Sequence, residues 1–204
     1  MRHLLFPTLV LESSICRANS QLNTELLKEC YKFSELDSAG QSWSKKNYPK
    51  GYTSYASMNN MYDHSPYFLE LRQKIDRVVV KYIQDLEMDI KAKELQMTSL
   101  WMNIMPQGVT HSMHIHPLSV ISGTYYVQIP SGSSLLKLED PRLLGHMASP
   151  PRKPKAKPQN QRFIYMQPKV GSVLLFESWL RHEVPPNLAK QDRVSISFNY
   201  DWCR

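Results

Sequence analysis

The sequence predicts a mainly β protein: a jelly roll or barrel with helices packed on one outer face. Three observations predict it. The front of the chain carries helical periodicity, and eight short strand-like segments separated by Pro and Gly follow from Leu95. The last of those segments has one polar and one apolar face.

In the front half, Thr24–Phe33 fits a helix with Leu26, Leu27, Cys30 and Phe33 inward. Ser38–Asn60 is rich in Gly, Ser, Tyr and Asn and has no clear period, so it reads as a loop with short extended pieces. Ser65-Pro66 is a good N-cap and first-position pair. After it, Phe68, Leu71, Ile75, Val78, Val79, Tyr82 and Leu86 recur at three- and four-residue spacing, an apolar stripe along a helix from Pro66 to Glu87.

The expected strands are Leu95–Met105, Met113–Leu118, Ile121–Ile129, Ser134–Glu139, Gln161–Gln167, Ser172–Glu177, Arg181–Val184 and Asp192–Asp201. In the last, Arg193, Ser195, Ser197 and Asn199 share one face, and Val194, Ile196, Phe198 and Tyr200 the other. With the apolar face on the helices, the polar face lines the barrel interior, where a binding site belongs. The expected organisation is one domain over 1–204, with a mostly helical front and loop (1–94) and a jelly-roll core (95–204). A mobile Pro/Lys loop at 145–160 lies within that core.

The 204 residues suffice for one substantial core, and their composition is globular. Net charge is +7, but Arg152, Lys153, Lys155 and Lys157 supply more than half of it from one acid-free segment, Pro150–Asn160. A solvated loop accounts for that, and a nucleic-acid partner is not favoured. The Leu4–Leu11 run is interrupted by Pro7 and is too short to span a bilayer, which points to a cytoplasmic protein without a membrane partner. Cys16, Cys30 and Cys203 have no metal-ligand spacing and read as reduced, packing thiols.

The chemistry concentrates in His111-Ser-Met-His114-Ile-His116-Pro117. Residues two apart on a strand project to the same side, so the imidazoles of His114 and His116 can converge on one ion at about 2.1 Å. His111, at an odd offset, is expected on the other face. His182 is the natural third ligand, on a short strand returning beside the first, whereas His3, His64 and His146 read as surface residues. Three protein ligands leave open positions, as non-haem iron enzymes need. Arg193, with the Ser195 hydroxyl on the same face, is suited to grip a small carboxylate.

Together these residues resemble the 2-oxoglutarate/Fe(II)-dependent oxygenase superfamily, and within it a group of small bacterial and phage members. The motifs are Trp101-Met-Asn103-Ile-Met-Pro-Gln-Gly108, His114-Ile-His116-Pro117 and Ser122-Gly-Thr-Tyr-Tyr126. Asp140-Pro-Arg142, Phe176-Glu-Ser-Trp-Leu-Arg-His182 and Arg193-Val-Ser-Ile-Ser-Phe-Asn-Tyr200 complete the set. The resemblance implies a double-stranded β-helix that holds Fe(II) and takes 2-oxoglutarate as cosubstrate. It implies iron ligation by His114 and His182, and a grip by Arg193 and Ser195 on the distal carboxylate. Asn103, and Tyr126 if it faces the same pocket, would also contact the cosubstrate.

This chain departs from the superfamily at His116, where Asp or Glu is usual. Either His116 replaces the carboxylate or an acid such as Glu183 or Asp140 completes the site. The implied activity couples oxidative decarboxylation of 2-oxoglutarate to C–H oxidation of a small-molecule or peptidyl substrate. The alternatives are a 2-oxoglutarate-independent three-His dioxygenase of the cupin type and a non-catalytic metal-binding jelly roll.

Overall fold

A computed structural model describes residues 1, 3 and 5–203; Leu4, the first residue of the N-terminal apolar run, lies outside them. The order is β1 (Val10–Ser14), α1 (Gln21–Leu36), α2 (Ser38–Asn47), β2 (Tyr52–Thr53) and α3 (Pro66–Asp85). Then come β3 (Leu95–Met105), β4 (His111–His114), β5 (Ile121–Gln128), β6 (Leu136–Glu139), β7 (Phe163–Met166), β8 (Ser172–Glu177), β9 (His182–Val184) and β10 (Arg193–Trp202).

The strands form two antiparallel sheets, β1-β8-β5-β10-β3-β2 and β4-β9-β6-β7. Such a pair closes a double-stranded β-helix. The outer face of the larger sheet is apolar because alternate residues of its central strands are: Val194, Ile196, Phe198 and Tyr200 pack with Leu26, Phe68, Leu71, Ile75 and Tyr82 of α1 and α3. The opposite parity of β10 faces the second sheet, with Arg193, Ser195 and Asn199 all buried. Gly123 lets β5 sit in this sheet, since a Cβ there would meet the Leu174 carbonyl at 2.6 Å and the Phe198 ring at 2.5 Å.

Several expectations are corrected. The segment after Asp37 is not a loop: Ser38–Asn47 is helical, and Asp37 caps it by accepting from the Gly40 amide at 2.9 Å. Only Gly40 and Ser44 of this helix are buried, so it leaves no apolar period to read. Val10–Ser14 adds an edge strand, pairing with β8 from Val10↔Phe176 to Ser14↔Ser172. The second expected strand segment, Met113–Leu118, instead runs over His111–His114 and ends early, so His116 stands beyond it. Arg152, Lys153, Lys155 and Lys157 are exposed, between β6 and β7. Cys30 is buried, Cys16 half-buried and Cys203 exposed, all as free thiols. Among the described residues no helix is long and apolar enough to cross a membrane.

Candidate metal centre and anion pocket

His114 and His182 face each other because β4 and β9 pair in that register. Directly opposed residues on one face of an antiparallel pair bring their side chains together, and the two ring centroids are 4.3 Å apart. His116 joins them from the turn after β4, its ring stacked on His182 at 5.1 Å. One ring nitrogen from each of the three lies within 4.8 Å of the others.

The tautomers follow from the backbone. His114 Nδ1 is 2.6 Å from the Ser112 carbonyl and His182 Nδ1 2.8 Å from the Leu180 carbonyl. A carbonyl only accepts, so each Nδ1 carries the proton and each Nε2 keeps its lone pair for the centre of the cluster. The Nε2 atoms of His116 and His182 are 3.3 Å apart. Two nitrogens bound to one ion at about 2.1 Å, with an angle near 100°, would stand roughly 3.2 Å apart. The donor set therefore fits one divalent ion.

His111 does not turn away. Four residues of β4 (His111 to His114) span three of β9 (Val184 to His182), a bulge that reverses the parity. Its ring stacks on His114 at 4.4 Å and lies 5.5 Å from Tyr48. Neither proposed carboxylate reaches the cluster. Glu183, on the alternate face of β9, takes Lys137 at 2.6 Å, and Asp140 pairs with Arg142 at 2.6 Å and His146 at 3.5 Å.

On the interior face of the larger sheet, Asn103 pairs with Ser195, which pairs in turn with Tyr126; Arg193 lies opposite Met105. Arg193 is 1% exposed. Its Nη1 donates to Ser195 Oγ at 3.2 Å, while Nε and Nη2 have no partner among the described residues. Its guanidinium sits 5.4 Å from the Tyr126 ring centroid. Burial pulls its pKa down, and the titratable groups that oppose this are the phenols of Tyr126 and Tyr48 rather than carboxylates. Tyr126 Oη, Tyr48 Oη and Asn103 Oδ1 are likewise buried without partners, while Asn103 Nδ2 donates to Ser197 Oγ at 3.1 Å. Buried polar atoms are nearly always satisfied. A guanidinium with two spare donors fits a bidentate carboxylate.

The histidines and Arg193 line one cleft, together with Trp101, Asn103, Thr124, Ser195 and Ser197. The structure thus brings His114, His116, His182, Arg193, Ser195 and Asn103 to one cleft, while Tyr126 stands behind Arg193. Sequence reasoning missed His111 and Tyr48. A third histidine so near His114 was a signal for the first; nothing in the sequence marked the second.

Burial also makes the cluster sensitive to pH. It pushes His111 to about 3, His116 to about 4 and His182 to about 2, with neighbouring histidines adding to each shift. In the unfolded chain each takes a proton near its usual value of about 6.5. Below that pH the unfolded state binds more protons, so metal-free protein should lose stability as pH falls from about 6.5 towards 4 and stay level above about 7.5. Each histidine contributes at most about 1.4 kcal/mol per pH unit in that window. Urea midpoints at pH 7.5, 6 and 5 check this. They should fall in that order, and His111→Phe should flatten the slope; equal midpoints contradict it.

A double-stranded β-helix with a three-histidine cluster and a buried, unpaired arginine in one cleft has the frame of a metal-dependent oxygenase. Residues 99–199 match the family described as "Putative 2OG-Fe(II) oxygenase". That match covers the strands from β3 to β10, which carry the three histidines and Arg193. No curated protein sequence matches the chain.

Among solved structures, a Pseudomonas putida prolyl-4-hydroxylase is 12% identical, over 96% of this chain and 92% of its own, with a TM-score of 0.58. A Trichoplax adhaerens prolyl hydroxylase, in complex with a hypoxia inducible factor oxygen degradation domain peptide fragment, is 15% identical over 95% and 83%, TM-score 0.61. HygX from Streptomyces hygroscopicus, with nickel and 2-oxoglutarate bound, is 13% identical over 95% and 83%, TM-score 0.60. At such identities these likenesses establish the shared fold.

Proposed function

We propose that the chain is an Fe(II)- and 2-oxoglutarate-dependent oxygenase in which His114, His116 and His182 hold the iron and Arg193 anchors the cosubstrate. The observation that carries this reading is the spare hydrogen-bonding capacity of buried Arg193 in the cleft that the three histidines line. Ser195 adds a hydroxyl donor beside the guanidinium, Asn103 offers a further polar atom to the same ligand, and Tyr126 backs the guanidinium from behind. Iron and 2-oxoglutarate supply the chemistry, oxidative decarboxylation coupled to C–H oxidation. The protein orients the cosubstrate, keeps the Nε2 lone pairs inward and walls the pocket with buried side chains.

The proposed substrate is a small molecule or a peptidyl side chain. A cytoplasmic location is part of the proposal. Succinate release from 2-oxoglutarate tests the reading: turnover should require Fe(II) and disappear with a chelator. Iron binding without succinate would move the assignment to a 2-oxoglutarate-independent three-His dioxygenase, or to a non-catalytic metal-binding protein.

The unusual ligand has its own expected result. His116→Asp restores the superfamily's common carboxylate and adds a negative charge that favours a divalent ion. It should keep Fe(II) bound and substrate-free 2-oxoglutarate turnover measurable, while His116→Ala should do worse on both. An alanine variant that binds iron as well as the wild type does would remove His116 from the ligand set.

A further inference from the structure

His116 poses a positioning problem that His114 and His182 do not. Those two sit on paired strands, whereas His116 lies two residues past the end of β4. The turn it occupies contains Leu118, 98% exposed and at φ +72°. A non-glycine residue there costs of the order of 1–3 kcal/mol, so the surroundings must hold the turn in place.

The backbone clamp is explicit. The His116 amide donates to the Ser178 carbonyl at 3.0 Å, the Ser178 amide to the Val120 carbonyl at 3.0 Å, and the Val120 amide to the Tyr200 carbonyl at 2.8 Å. Ser178 belongs to the β8–β9 turn that also delivers His182, so one residue ties two ligand-bearing segments together.

Ser178 is itself anchored by its side chain. It is 1% exposed, and its Oγ lies 2.7 Å from Ser122 Oγ on β5. Ser122 gives its one proton to Asn199 Oδ1 on β10 at 2.8 Å, so Ser178 is the donor to Ser122. The chain Ser178–Ser122–Asn199 therefore runs from the His116 turn to the centre of the larger sheet.

We infer that Ser178, Ser122 and Asn199 are positioning residues that set His116 Nε2 at the metal position. The inference rests on the proposed three-histidine site. Outer hydrogen-bond partners of metal ligands typically govern about 10- to 100-fold in metal affinity.

Cobalt(II) alone, titrated into the full chain and followed by its visible d–d absorption, provides the test. Ser178→Ala should weaken Co(II) binding about tenfold and shift the d–d bands, because His116 is released from its position. In a His116→Ala background the same substitution should change affinity by less than about twofold, since no ligand remains for it to place. A purely structural serine would weaken binding equally in both backgrounds, and that result, or no loss in the wild-type background, overturns the inference. If Ser178→Ala does not fold, Ser122→Ala cuts the same chain one residue away and carries the same expectations. If His116→Ala alone binds Co(II) as tightly as wild type, the failure lies in the three-histidine assignment, and the inference falls with it.

Discussion

Arg193→Met is expected to raise the dissociation constant of 2-oxoglutarate by about thirtyfold or more without changing the metal content. Removing one partner of a buried, charge-assisted pair typically costs about 2–5 kcal/mol, and 2 kcal/mol is roughly thirtyfold in affinity. The guanidinium is 1% exposed, so water cannot replace it as a partner for the carboxylate. Methionine is close to the aliphatic stem in volume and would meet Met105 and Tyr126, both fully buried. The fold should survive: an unpaired buried charge costs stability, so the variant should melt no lower than wild type in the absence of ligand. Isothermal titration of metal-loaded protein measures the affinity. An unchanged constant would move the anchor elsewhere, to Lys169 or Arg181; Lys169 is already held by Glu12 at 2.6 Å and Arg181 by Glu139 at 3.1 Å.

The second large effect is on the metal. His114→Ala or His182→Ala should reduce the content after reconstitution from about one equivalent per chain to a small fraction of one. Each removes a neutral imidazole whose tautomer the backbone has already selected, at Ser112 or at Leu180. Losing one of three protein ligands leaves two, which hold the ion far more weakly. His111, though stacked on His114, has no ring nitrogen in the three-residue group, so His111→Phe should retain metal. Full occupancy in a His114→Ala, His182→Ala double variant would show that the ion binds elsewhere.

The jelly-roll half was readable because its strands obey period two. Leu95–Met105 and Ser172–Glu177 begin and end where Pro, Gly and alternation place them, and the two faces of β10 separate as their polarity demands. The helix from Pro66 was readable from its cap and stripe: Ser65 accepts from the Tyr67 amide, and Phe68, Leu71, Ile75, Val79 and Tyr82 are buried.

What stayed hidden was held by polar or distant contacts. The helix Ser38–Asn47 depends on Asp37, which also takes the Tyr52 phenol at 2.8 Å and the Ser57 hydroxyl at 2.5 Å, none of which leaves a periodic trace. The strand Val10–Ser14 exists because β8, some 160 residues onward, offers it an edge. His111 was misplaced because one extra residue in β4 reverses parity, and bulges have no signature in hydrophobic pattern. The His114–His116 pair was read from its two-residue spacing and His182 from its place on a returning strand, and the three do come together. The means of holding His116 was not legible, since it resides in a turn clamped by Ser178.

The central claim is that one cleft holds both a metal on three histidines and 2-oxoglutarate on Arg193. Its most direct test is an anaerobic absorption titration with Fe(II) and 2-oxoglutarate. The account predicts a weak visible charge-transfer band that needs both additions and saturates at one equivalent of each. In Arg193→Met the band should require about thirtyfold more 2-oxoglutarate to develop, and in His182→Ala it should not form. A metal-loaded wild-type protein that shows no band at saturating 2-oxoglutarate would contradict the account.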